Sequence, residues 1–217
     1  MANTAKENIL KKIRQALVHP VPVPFPQSEG NDSVFQPSVQ ELEVEFAENF
    51  TKLLGRFSFC FDEAELVQQL NTLAASRKWE KIYCVEDALK QTLAASGFTN
   101  LHSNNIATCD ASITTCESLV ARTGSMLLSS AQKNGRTTSV YAPVHICIAY
   151  TNQLVYDIKD ALQLLKEKYN GNLPSLVSLA TGPSRTADIE KTLVQGAHGP
   201  KDVFVFFIDD IPVMDNE

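Results

Sequence analysis

Apolar positions change period along this chain, and each change marks an element. Ile9, Leu10, Ile13, Ala16 and Leu17 recur at helical spacing among lysines and an arginine, which predicts a helix over residues 3–17 capped by Asn3 or Thr4. Prolines 20, 22, 24, 26 and 37 then alternate with valine and phenylalanine, a density that forbids helix and reads as an extended linker over 19–37. A second helix is predicted from about Ser38 to Leu54, with Gly55 as its C-cap. From there short elements alternate: a strand at Arg56–Phe61, a helix at Asp62–Lys78 capped by Asp62, a strand at Lys81–Val85, and a helix at Glu86–Ala95 stopped by Gly97. That alternation signals βαβ units and a largely parallel sheet.

The second half reads differently. Residues 105–111, 118–130 and 137–150 look extended, and Asn134-Gly135 is a hairpin signal that would pair Met126–Ser130 antiparallel with Ser139–Tyr150. A helix is predicted over Thr151–Tyr169, with Leu154, Val155, Ile158, Ala161, Leu162, Leu164 and Leu165 on one side and Asn170-Gly171 as its stop. The runs Leu176–Ala180 and Val203–Ile208 read as buried strands, joined by a glycine-bearing polar loop that opens a short helix. The expected organisation is an N-terminal region of helices and linker at 1–54 and an α/β domain at 55–217. Its sheet is open, mostly parallel, partly mixed, and flanked by helices.

Composition narrows the function classes. The chain has 217 residues, 44% hydrophobic and 20% charged, enough for a sizeable core without covalent staples. A net charge of -6 argues against non-specific nucleic-acid binding and against an anionic membrane surface. No run of eighteen apolar residues predicts a membrane span, and the lysine-strewn N-terminus does not read as a secretory signal. The five cysteines form no CxxC pair, so free thiols in a reducing cytoplasm are expected, with no zinc or iron–sulfur signature. The four histidines show no metal-ligand spacing.

Three segments carry candidate chemistry. In Thr181-Gly182-Pro183-Ser184-Arg185-Thr186, Gly182 permits a sharp turn and close approach, Ser184 and Thr186 offer hydroxyls, and Arg185 a planar fork. At a helix N-terminus these groups would bind an anion; the alternative is a capped helix whose arginine pairs with a neighbouring acid. In Gly196-Ala197-His198-Gly199-Pro200, His198 is the candidate acid, base or anion contact, against a plain tight turn. In Ala121-Arg122-Thr123-Gly124-Ser125, glycine between hydroxyls suggests a bulge or close backbone approach that would set Thr123, Gly124 and Ser125 beside a ligand, against a simple kink. Glu117 could act as a carboxylate nucleophile, but nothing in its spacing singles it out, and a solvated side chain is expected.

Together TGPSRTADIE at 181–190, GAHGP at 196–200 and ARTGS at 121–125 resemble the LUD (lactate utilization) domain family, and within it the lactate utilization protein C group. The resemblance covers roughly residues 55–210 and includes Pro143-Val144-His145. It implies a fold like that of CoA transferases and ribose-5-phosphate isomerase. It also implies a part in oxidising L-lactate to pyruvate beside companion proteins that carry iron–sulfur clusters. It names no cofactor and leaves open whether this chain is itself the catalyst. Relatives commonly carry an acidic residue where this chain has Arg122, which bears on specificity if that position faces the ligand. Three roles are therefore expected to compete: a non-cluster subunit of a lactate-oxidising system binding a small carboxylate or a partner, a free-standing enzyme acting on a CoA ester or phosphorylated metabolite, and a docking module built on the N-terminal helix. Homo-oligomers stay open.

Overall fold

The computed structural model describes residues 5–18, 37–189 and 192–209, with no side chains described for 187–193. The proline-rich stretch expected as a linker lies outside the described residues up to residue 36. The chain divides into two compact units, 1–37 and 38–217. In the first, helix α1 (Ala5–Leu17) buries none of its residues.

The second unit follows the order α2 (Leu42–Lys52), β1 (Arg56–Cys60), α3 (Glu63–Arg77), β2 (Ile82–Tyr83), α4 (Asp87–Ala95), β3 (Leu101–His102), β4 (Ala111–Thr115), β5 (Ser118–Val120), β6 (Ser125–Ser129), α5 (Thr138–Tyr141), β7 (Val144–Tyr150), β8 (Leu154–Val155), α6 (Ile158–Lys168), β9 (Val177–Ala180), β10 (Arg185–Ile189), β11 (Thr192–Gln195) and β12 (Asp202–Ile208). Six strands form the main sheet in the order β1-β12-β7-β4-β2-β3, and every pairing in it is parallel. A second sheet, β8-β5-β6-β9, is mixed, and β10 with β11 forms a separate antiparallel ribbon. The expected α/β class with an open, mostly parallel sheet is what the chain adopts.

Side-chain alternation explains the layers. Along β7 and β12, Val144, Ile146, Ile148, Phe204, Phe206 and Ile208 face α3 and α4, where Leu66, Leu70 and Leu93 meet them. The intervening Cys147, Ala149, Val203, Val205 and Phe207 face α2 and the second sheet, meeting Phe46, Phe50, Leu119 and Met126. Strands covered on both sides read as near-continuous apolar runs, and these do apart from His145. The far face of the second sheet is closed by α6, through Ala161 and Leu165 against Val120 and Leu127. His145 is buried within β7, where its ring nitrogen lies 2.8 Å from the Thr114 hydroxyl. All five cysteines are free. Among the described residues, no helix is long and apolar enough to cross a membrane.

Several expectations are corrected. Residues 126–130 and 139–150 do not pair across Asn134-Gly135: β6 belongs to the second sheet and β7 to the main one. A hydrophobic pattern cannot say which sheet a strand joins. Residues 137–143 include the short α5 rather than continuing the strand. The helix expected from Thr151 starts at Ile158, because Asp157 and Asp160 form a capping box there, and Leu154-Val155 pairs as β8. The helix expected to open after Thr181 is absent: Arg185–Ile189 and Thr192–Gln195 are strands. Strand β9 lies at the rim of the second sheet, and Leu179 is 39% exposed rather than buried.

Candidate functional site

The three motifs converge at the amino-terminal side of the main sheet. Residues 121–123 form a 3-10 turn between β5 and β6, closed by Gly124 at φ 58°. A Cβ on Gly124 would fall 2.5 Å from the Phe50 backbone nitrogen, and the Asn49 amide donates to the carbonyls of Ala121 and Arg122 at 3.0 and 3.2 Å. The anticipated close backbone approach is therefore real, but helix α2 fills it. Buried Ser125 donates to the Thr123 hydroxyl at 2.8 Å and shares a hydrogen bond with the Thr181 hydroxyl at 2.9 Å, which joins two motifs fifty-six positions apart. Gly182, at φ 75°, abuts the Leu53 carbonyl, where a Cβ would sit 2.7 Å away.

The loop 196–200 folds back on Ser184. The Ser184 N–H donates to the Pro200 carbonyl and the Gly196 N–H to the Ser184 carbonyl, both at 2.9 Å. No helix N-terminus forms here, so an anion on this face would have to be met by side chains. Arg185 is exposed opposite Gln195, and Thr186 lies opposite Val194. His198 is exposed on the wall of a shallow cleft of about 460 Å³ shared with Tyr141 and Lys201; Thr123, Ser125, Ser184 and Arg185 do not line it. Arg122 points elsewhere: its guanidinium forks onto Asp157, the α6 cap, at 2.8 and 3.3 Å. That pair holds the Asp157 carboxyl below its ordinary value. Arg122 thus spends its charge on an ion pair with the α6 cap.

A second polar region occupies the opposite end of the sheet. The carboxyl ends of β4 and β7 and the start of α4 border a cleft of about 510 Å³. Open parallel sheets place their ligand sites at this end. Glu86 accepts the Thr115 amide at 2.8 Å, the Thr115 hydroxyl at 2.6 Å and the Asn134 amide at 3.1 Å. Gln132 bridges Thr115 and Ser129, while Gln153 donates to the Cys116 carbonyl and accepts from the Tyr150 amide. Glu117 is not the solvated residue expected of it. Its side chain is 2% exposed and accepts from Ser129 (2.6 Å), Lys168 (2.7 Å) and Tyr169 (2.8 Å). Burial alone would raise its carboxyl, but these three donors outweigh burial and lower it. At the rim, Lys133 and Lys90 hold Asp87 down to about 2.

Glu86, Gln132, Gln153, Lys168 and Tyr169 went unpredicted. The available signal was a polar residue directly following each strand-like run, as in Val85-Glu86 and Cys116-Glu117. Among the described residues no group of three His, Cys, Asp or Glu side chains is placed to hold a metal.

A protein from Bacillus licheniformis called lactate utilization protein C is 32% identical over 119 residues, covering 54% of this chain and 49% of that protein. The Bacillus subtilis protein of the same name is 33% identical over 100 residues, covering 45% and 42%. An uncharacterized protein of Neisseria meningitidis serogroup B is 39% identical over 99 residues, covering 46% and 42%. The chain spans about half or less of the length of these relatives. Among solved structures, a DUF162 family protein from Deinococcus radiodurans superposes with a TM-score of 0.57 over 77% of this chain and 96% of that one, at 17% identity, a likeness of fold alone. The model of the LUD domain matches residues 44–208, and the chain belongs to the LUD domain family.

Proposed function

We propose that this protein is a component, without a cluster of its own, of a system that oxidises L-lactate to pyruvate, and that a small carboxylate binds in the cleft at the carboxyl ends of β4 and β7. Kinship with proteins named lactate utilization protein C supports the system. The observation that carries the site is the Lys168 ammonium on the cleft wall, held by a buried carboxylate. Iron–sulfur companion proteins supply the electron path, and exposed Arg185 marks a surface for meeting them.

A second reading puts the anion on the motif face beside His198, which of the expected contacts Thr123, Gly124, Ser125, Gly182, Ser184, Arg185, Thr186 and His198 is the residue that lines the cleft there. The cleft shared by His198 and Lys201 favours it. Titrating L-lactate into the wild type, Lys168→Met and His198→Ala separates the two. Loss of binding in Lys168→Met supports the first site, and loss only in His198→Ala supports the second. Unimpaired growth on L-lactate after clean deletion of the gene in its native host removes the proposed system altogether.

A further inference from the structure

Neither cleft makes use of the N-terminal helix. Helix α1 (Ala5–Leu17) buries none of its residues, and its large apolar side chains Ile9, Leu10, Ile13 and Leu17 are 39–73% exposed. At about 100° per residue these four and Ala16 fall within an arc of roughly 120°. Lys12 and Arg14 stand just beyond its two edges, and Glu7 and Lys11 lie on the far side. Lys6 falls inside the arc, but in the first turn, where side chains lean toward the N-terminus and a long stem can carry its charge past the helix end. A helix of 13 residues is marginal in water on its own. An unburied apolar stripe on so short a helix therefore gains stability from a surface laid against it.

Charge distinguishes among surfaces. The chain's net charge of -6, which argues against an anionic membrane, is an average over unlike parts. Helix α1 carries Lys6, Lys11, Lys12 and Arg14 against Glu7, a net +3, which leaves -9 on the rest of the chain. We propose that α1 lies flat on an anionic lipid bilayer and anchors the protein there, with its apolar arc at the acyl boundary and its cations among the headgroups. Cations at both edges of an apolar arc suit a bilayer, where headgroups flank the helix on either side. The same surface repels the rest of the chain. However, the stretch 19–36 can reach up to about 60 Å at roughly 3.3 Å per residue, several times the Debye length of about 8 Å, so that repulsion is screened. The attachment is peripheral, in keeping with the absence of a membrane-spanning helix among the described residues.

The test is flotation of the full chain with vesicles of phosphatidylcholine alone and of phosphatidylcholine mixed with phosphatidylglycerol. The fold of each variant is checked by circular dichroism, and its association state without lipid by light scattering. The wild type is expected to float with the mixed vesicles and to be released by added salt. Each cation near an anionic surface is worth about fivefold in partitioning, so Lys12→Gln with Arg14→Gln should weaken it about twenty-five-fold. Ile13→Ser with Leu17→Ser should weaken it about thirtyfold or more, because two large side chains leave the acyl boundary. Absence of flotation with the mixed vesicles, equal flotation with both kinds, or flotation that survives Ile13→Ser with Leu17→Ser overturns the proposal. So does self-association of the wild type that the same pair abolishes, which would make a second copy the occupant of the stripe.

Discussion

The two polar regions of this protein are held together by opposite means. On the motif face, glycines bring backbones into contact: Gly124 against Phe50 and Gly182 against Leu53. The hydroxyls there bond one another, and Arg185 and His198 stand exposed. At the carboxyl ends, charged and amide side chains do the joining, and Glu117 is enclosed by three donors. A recognisable sequence motif can therefore mark where chains must pack closely, while the more pre-organised chemistry sits in residues no motif announces.

If that contrast is right, the largest effect follows from a single methyl group on the motif face. Gly124→Ala forces a Cβ into the α2 backbone at a left-handed φ and should destabilise by about 3 kcal/mol or more, read by denaturant unfolding. Next comes the core between the two regions. Burial depresses His145 from 6.5 to about 4, so the unfolded chain takes up a proton in that window and the folded chain does not. Stability should be full above pH 6.5 and fall by roughly 3 kcal/mol as pH drops to about 4, and His145→Gln should flatten that slope.

At the carboxyl-end cleft the expected sizes are smaller. Glu117→Gln leaves donors imperfectly paired and should cost about 2 kcal/mol at neutral pH. The folded Glu117 pKa lies below its unfolded value of 4.5, so its stabilisation is present above that pH and is lost as pH falls through the folded value. The variant should lack this acid-side loss. Arg122→Ala breaks the fork onto Asp157, whose partners are 20% and 22% exposed, and should cost about 1 kcal/mol while leaving lactate binding unchanged. His198→Ala, at an exposed position, should change stability by less than about 0.5 kcal/mol. A large loss there would show that the motif face holds more structure than its exposure indicates.

Much of the fold was legible because the main sheet is covered on both faces. The runs Val144–Tyr150 and Val203–Ile208 stand out because nearly every position is apolar, His145 being the exception, and Asp62 caps α3 as its type predicts, accepting the Glu65 amide at 2.7 Å. What failed depended on partners distant in sequence. Asn134 looked like a hairpin residue because Gly135 follows it, yet its amide donates to Glu86. Ser184 and Thr186 looked like helix caps, yet the Ser184 amide is taken by Pro200 and the chain continues as strand. The start of α6 was readable in Asp157 and Asp160, but the apolar residues Leu154 and Val155 ahead of them extended the helical pattern too far. Glu117 looked solvated because its three donors come from two other elements, β6 and the end of α6.

The most direct test of where this protein takes its ligand is a map of backbone amide shifts in the 15N-labelled chain as L-lactate is added. Shifts centred on residues 115–117, 132–133 and 168–169 are the predicted result. Shifts confined to 184–186 and 196–201, with the carboxyl ends of β4 and β7 silent, would contradict it.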